Sequence, residues 1–65
     1  MQIIVNAKPC EVTTATLAEA LSELGYAQTG IATALNGEFV PQAARAGRAL
    51  QTGDRLEVLA PMQGG

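Results

Sequence analysis

Sixty-five residues with four basic and six acidic side chains, no histidine and one cysteine imply a single small domain with a thin core. A chain this short buries only about 60% of its unfolded surface. One cysteine excludes an internal disulfide, and without histidine there is neither a zinc-type cluster nor a Ser-His or Cys-His nucleophile pair. The net charge of −2 leaves no nucleic-acid footprint, and no apolar run approaches the roughly 18 residues needed to span a membrane.

The opening Met1-Gln2-Ile3-Ile4 lacks the basic stretch of a signal peptide. A cytoplasmic domain without a bound metal, doing no catalysis with its own side chains, is therefore expected. The apolar fraction of 48% includes twelve alanines, so the core falls to seven leucines, four valines and three isoleucines.

Residues 2–6 read as a central strand, since Ile3, Ile4 and Val5 are consecutive β-branched residues. Asn6 to Pro9 reads as a turn, and Glu11-Val12-Thr13 as a short returning strand. Thr16 followed by Glu19 has capping-box spacing and predicts a helix start. Leu17, Ala20, Leu21 and Leu24 then keep the i, i+3, i+4, i+7 stripe of one buried face. Gly25 predicts the stop, because a positive φ there ends the helix. Glu19 and Glu23 lie on the opposing side, suited either to capping and solubility or to an acidic docking face. Tyr26 is expected to cover the helix end.

Ile31 to Leu35 predicts a third strand. Asn36-Gly37 fits a type I′ hairpin turn, and Glu38-Phe39-Val40 returns until Pro41. Residues 42–49 fit one helical turn or irregular chain. Arg45 and Arg48 within them read as solvated surface, with contact to a partner or a phosphate as the other reading. Thr52-Gly53-Asp54 is a turn, and Arg55 to Leu59 alternates as the last strand, with Leu56 and Val58 inward. Cys10 reads as a small half-buried hydrophobe rather than a reactive thiol, because Lys8 is the one basic residue near it in sequence. Hairpin, helix, short hairpin and final strand make an α+β fold. It has a mixed sheet of four to five strands and one main helix on one face, with strands 1 and 5 central. The β-grasp is the compact fold of this order.

Residues 1–60 are expected to form the domain and 61–65 a flexible tail ending Gly64-Gly65. A frayed end or a cloning remnant explains such a tail blandly. The functional reading is physical: two residues without Cβ can thread a narrow channel, and an α-carboxylate with a pKa of about 3.3–3.7 is ionised and can attack phosphorus.

Three segments together resemble the ThiS sulfur carrier family of thiamin biosynthesis, whose fold is a ubiquitin-like β-grasp. Asn36-Gly37-Glu38-Phe39-Val40-Pro41 is similar to the family's Asn-Gly-x-x-Val-Pro hairpin. Leu50-Gln51-Thr52-Gly53-Asp54-Arg55-Leu56-Glu57-Val58 is similar to its Leu-x-x-Gly-Asp-x-hydrophobic-Glu-hydrophobic segment. Pro61-Met62-Gln63-Gly64-Gly65 is close to an ending common in the family. The chain departs from it after Val-Pro, where Gln42 stands for a frequent Arg and Arg45 for an aromatic.

The resemblance implies a carrier rather than an enzyme. It binds no cofactor itself, and an E1-like adenylyltransferase partner uses ATP and Mg²⁺ on the Gly65 carboxylate. A persulfide sulfur donor of the cysteine desulfurase type converts it to a thiocarboxylate, and thiazole synthase consumes the sulfur. Gly64, Gln63 and Met62 are the implied channel contacts. A more distant similarity to ubiquitin places Leu59 and Ile4 as a partner-facing patch, against the alternative of isolated exposed hydrophobes. The same tail fits a molybdopterin-pathway carrier or a ubiquitin-like protein modifier, whereas a passive interaction module has no use for it.

Overall fold

The computed structural model describes residues 1–26 and 30–60. Five strands form one mixed sheet in the order β2-β1-β5-β3-β4. They are β1 (Gln2–Val5), β2 (Lys8–Glu11), β3 (Ala32–Leu35), β4 (Glu38–Val40) and β5 (Arg55–Leu59), with helix α1 (Leu17–Glu23) following β2. β5 runs parallel to β1 and antiparallel to β3, while both hairpins are antiparallel. This is the ubiquitin-like β-grasp expected from the order of elements, with β1 and β5 both internal.

The core lies between α1 and one sheet face. Ile3, Val5, Leu35, Val40, Leu56 and Val58 from the strands meet Leu17, Ala20 and Leu21 from the helix. Cys10 and Tyr26 pack half-buried against this cluster. Leu24, on the predicted helical stripe, caps the helix and is only partly buried.

The helix ends follow their local chemistry. Glu19 N–H donates to Thr16 Oγ1 at 3.3 Å. The return contact differs from the standard capping box: the Thr16 hydroxyl donates to the Glu19 carboxylate at 3.2 Å. At the other end Gly25 adopts φ 91°. Tyr26 N–H reaches Leu21 O at 2.7 Å and Gly25 N–H reaches Ser22 O at 3.2 Å, the paired bonds of a Schellman stop.

Two expectations are corrected. The first hairpin turns over only Asn6-Ala7, and β2 begins at Lys8 rather than Glu11. Pro9 is tolerated inside β2 because β2 is an edge strand. It sits opposite Ile4, whose N–H goes the other way, to Asp54 O at 2.9 Å. Asn6 and Ala7 both have positive φ, 48° and 70°, like Asn36 and Gly37 at 53° and 84°. Both hairpins therefore turn in the mirror-image sense that suits strand twist.

The second correction concerns Arg45. Residues Gln42–Gly47 form a 3₁₀ helix that turns Arg45 inward to 9% exposure, instead of leaving it solvated. Its Nε donates to Thr33 Oγ1 at 3.1 Å and its Nη2 to Ile31 O at 2.7 Å. Thr33, 1% exposed, donates in turn to Val40 O at 2.8 Å. Arg48 stays near the surface and pairs with Glu38 at 3.2 Å.

Candidate functional site

β5 is the last element of the described residues, and the structure holds this strand firmly. β1 and β3 bond it from either side. The asparagine that begins each hairpin turn adds a side-chain clamp. Asn6 Nδ2 donates to Val58 O at 3.2 Å, and Asn6 Oδ1 accepts from Val58 N–H at 2.9 Å. Asn36 Oδ1 accepts from Arg55 N–H at 2.9 Å, and Asn36 Nδ2 donates to Asp54 Oδ1 at 3.0 Å. Asn6 was legible only as a turn former; the sequence carries no sign of a bond to a residue 52 positions away.

Gly65, Gly64, Gln63 and Met62, the candidates on the tail, lie outside the described residues. Ile4 and Leu59 lie on the same sheet face, the one opposite α1. Their neighbours Ile3, Val5 and Val58 turn inward, and successive residues of a strand alternate sides. Ile4 is half-buried and Leu59 is 70% exposed.

The two do not touch as one patch, since Arg55 and Glu57 separate them along β5. Leu59 instead joins Phe39, which is 65% exposed. Ala32 pairs with Leu59, and Ala34 pairs with both Glu57 and Phe39. These residues line a shallow apolar groove of ≈ 160 Å³. A second depression of ≈ 400 Å³ is lined by Ile4, Ala7, Gly37, Arg55, Leu56 and Glu57. Phe39 is a surface residue that the sequence did not single out; the pairing of its strand decides it. Val40 opposes the buried Thr33, so Phe39 must point to the other side.

The helix carboxylates serve the chain itself. Glu23 accepts from Thr13 N–H at 2.9 Å, from the Thr13 hydroxyl at 3.1 Å and from the Thr14 hydroxyl at 3.3 Å. The Thr13 N–H bond, foremost, holds its carboxyl below the usual range. Glu19 is engaged at the helix cap. Among the described residues no group of three or more His, Cys, Asp or Glu is placed to hold a metal. No helix among them is long and apolar enough to cross a membrane.

The candidate site is therefore an open sheet face crossed by the clamped strand β5. Comparison with known proteins gives the family. The sequence model of the ThiS family matches residues 3–65. The chain is similar to a crystal structure of the thiamine biosynthesis protein ThiS from Geobacter metallireducens, at 36% identity and a TM-score of 0.82, over 100% of both chains. It is similar also to an NMR solution structure of a thiamine biosynthesis protein from the same organism, at 36% identity and a TM-score of 0.80, over 100% of this chain and 88% of the other. No curated protein sequence is a significant match.

Proposed function

The chain belongs to the ThiS family, and from that premise we propose that it carries sulfur as a thiocarboxylate on Gly65 for thiazole formation in thiamin biosynthesis. A sulfur carrier role follows from the family and from its structural relatives in thiamine biosynthesis. The observation that supports the reading most directly is the family match, which runs through Gly64 and Gly65, beside a clamped central strand β5.

An adenylyltransferase partner, using ATP and Mg²⁺, activates the Gly65 carboxylate as an acyl-adenylate. A persulfide displaces AMP, and a thiol cleaves the resulting S–S bond to leave one sulfur on Gly65. Thiazole synthase then takes up that sulfur. Gly64 and Gln63 pass through the enzyme channels with Met62 at their mouth, while Ile4 and Leu59 contact the partner from the open face. The setting is the cytoplasm, where the thiols of such donors stay reduced.

The test is intact-mass measurement after incubation with a ThiS-type adenylyltransferase, ATP and a persulfide donor. The expected result is one oxygen-to-sulfur exchange at Gly65, abolished when one residue is added after Gly65. Normal sulfur acquisition by the extended chain refutes the mechanism, and lysine-linked adducts point to a protein modifier instead.

A further inference from the structure

We propose that the open sheet face also binds a second copy of this chain, across a two-fold axis at right angles to β5 and level with Leu56. Arg55 and Glu57 sit two positions apart on this face of β5, which is the middle strand. Neither has an ion-pair partner among the described residues. A two-fold axis lying between two facing sheets at the level of Leu56 sends position 55 onto position 57. Each Arg55 then meets Glu57 of the second copy, and both pairs form together. A two-fold along β5 stacks Arg55 on Arg55 instead, so charge selects one operator.

Shape selects the same operator. Phe39 protrudes in the row of Glu57, because it pairs with Ala34 and Ala34 pairs with Glu57. The axis carries that row onto the row of Arg55, where the second copy has its Asn36-Gly37 turn. Gly37 lines the ≈ 400 Å³ depression, and nothing lies within 4 Å of where a Cβ on it would stand. Phe39 of each copy therefore lands over Gly37, at the edge of the other's hollow. Ile4 falls about 7 Å, two strand residues, from its counterpart and closes the opposite flank. One face of so small a domain lies at the low end of specific interfaces, so the association is weak, with Kd of about 0.1–1 mM. Where the carrier reading holds, self-association hides this face from a processing enzyme; the dimer itself does not depend on that reading.

Sedimentation equilibrium of the full chain from about 20 μM to about 2 mM brackets this affinity. The expected result is a mass rising from 6.7 kDa toward twice that value. Arg55→Glu and Glu57→Arg each weaken association about tenfold, and the two together restore it to within about threefold. Phe39→Ala weakens it as well. Glu57→Arg is the sharpest variant: it takes the net charge from −2 to 0, so general repulsion alone predicts tighter association, not weaker. Circular dichroism of each variant confirms an unchanged fold. A mass fixed at 6.7 kDa through about 2 mM, or a double variant as weak as the single ones, overturns the proposal. So does a chain that stays monomeric while Phe39→Ala lowers affinity for an adenylyltransferase, since the face then serves the enzyme alone.

Discussion

Arg45→Ala tests the largest departure of the structure from expectation. The guanidinium is 9% exposed and donates to Thr33 Oγ1 and Ile31 O, with no carboxylate in that set. Bonds from a charged donor contribute about 1.5–3 kcal/mol each. Removing the cation also relieves its own desolvation, which offsets part of that loss. The net expectation is a destabilisation of about 2–4 kcal/mol, large beside the roughly 3–10 kcal/mol available to a chain of this length. At about 4–8 °C per kcal/mol for a domain of this size, the melting temperature should fall by about 8–32 °C.

Arg45→Met separates packing from bonding, because it keeps the apolar stem and leaves Thr33 Oγ1 and Ile31 O without their donor. It should lose about 1–3 kcal/mol. Arg48→Ala is the control. Its pair with Glu38 is exposed at both ends, so it should cost no more than about 1 kcal/mol. Urea titration followed by far-UV circular dichroism measures all three. An Arg45→Ala variant within about 0.5 kcal/mol of the parent, the range of an ordinary surface change, refutes a stabilising role for the buried Arg45 bonds.

Three further outcomes are expected. Ala7 holds φ 70° without being glycine, so Ala7→Gly should raise stability by about 0.5–1 kcal/mol in urea titration. Thr16→Ala removes the acceptor for Glu19 N–H and should cost about 1 kcal/mol by the same measurement. Glu23 has its folded pKa lowered from 4.5, so its contribution is complete above that value and fades as pH falls through the folded pKa. Glu23→Gln should therefore be less stable than the parent at neutral pH, with the gap closing below pH 4.5 when stability is followed against pH; a gap independent of pH contradicts this.

Local chemistry determined much of this molecule. Thr16, Glu19 and Gly25 set the helix ends because capping depends on residues three or four apart. Asn36-Gly37 set its hairpin because only a few residues accept positive φ at little cost. Alternation in Arg55 to Leu59 placed Leu56 and Val58 in the core, and the motifs near both hairpin and tail carried the family. Tertiary structure decided what depends on partners far along the chain. Pro9 became a strand residue because β2 lies at the sheet edge, and Asn6 became a clamp because β5 passes beside it. Arg45 turned inward because Ile31 and Thr33 offer acceptors within reach of its side chain. Phe39 and Leu59 came together because β3 lies between their strands and pairs with both. A side chain's polarity states a preference for water, but whether it reaches water depends on which other segments arrive around it.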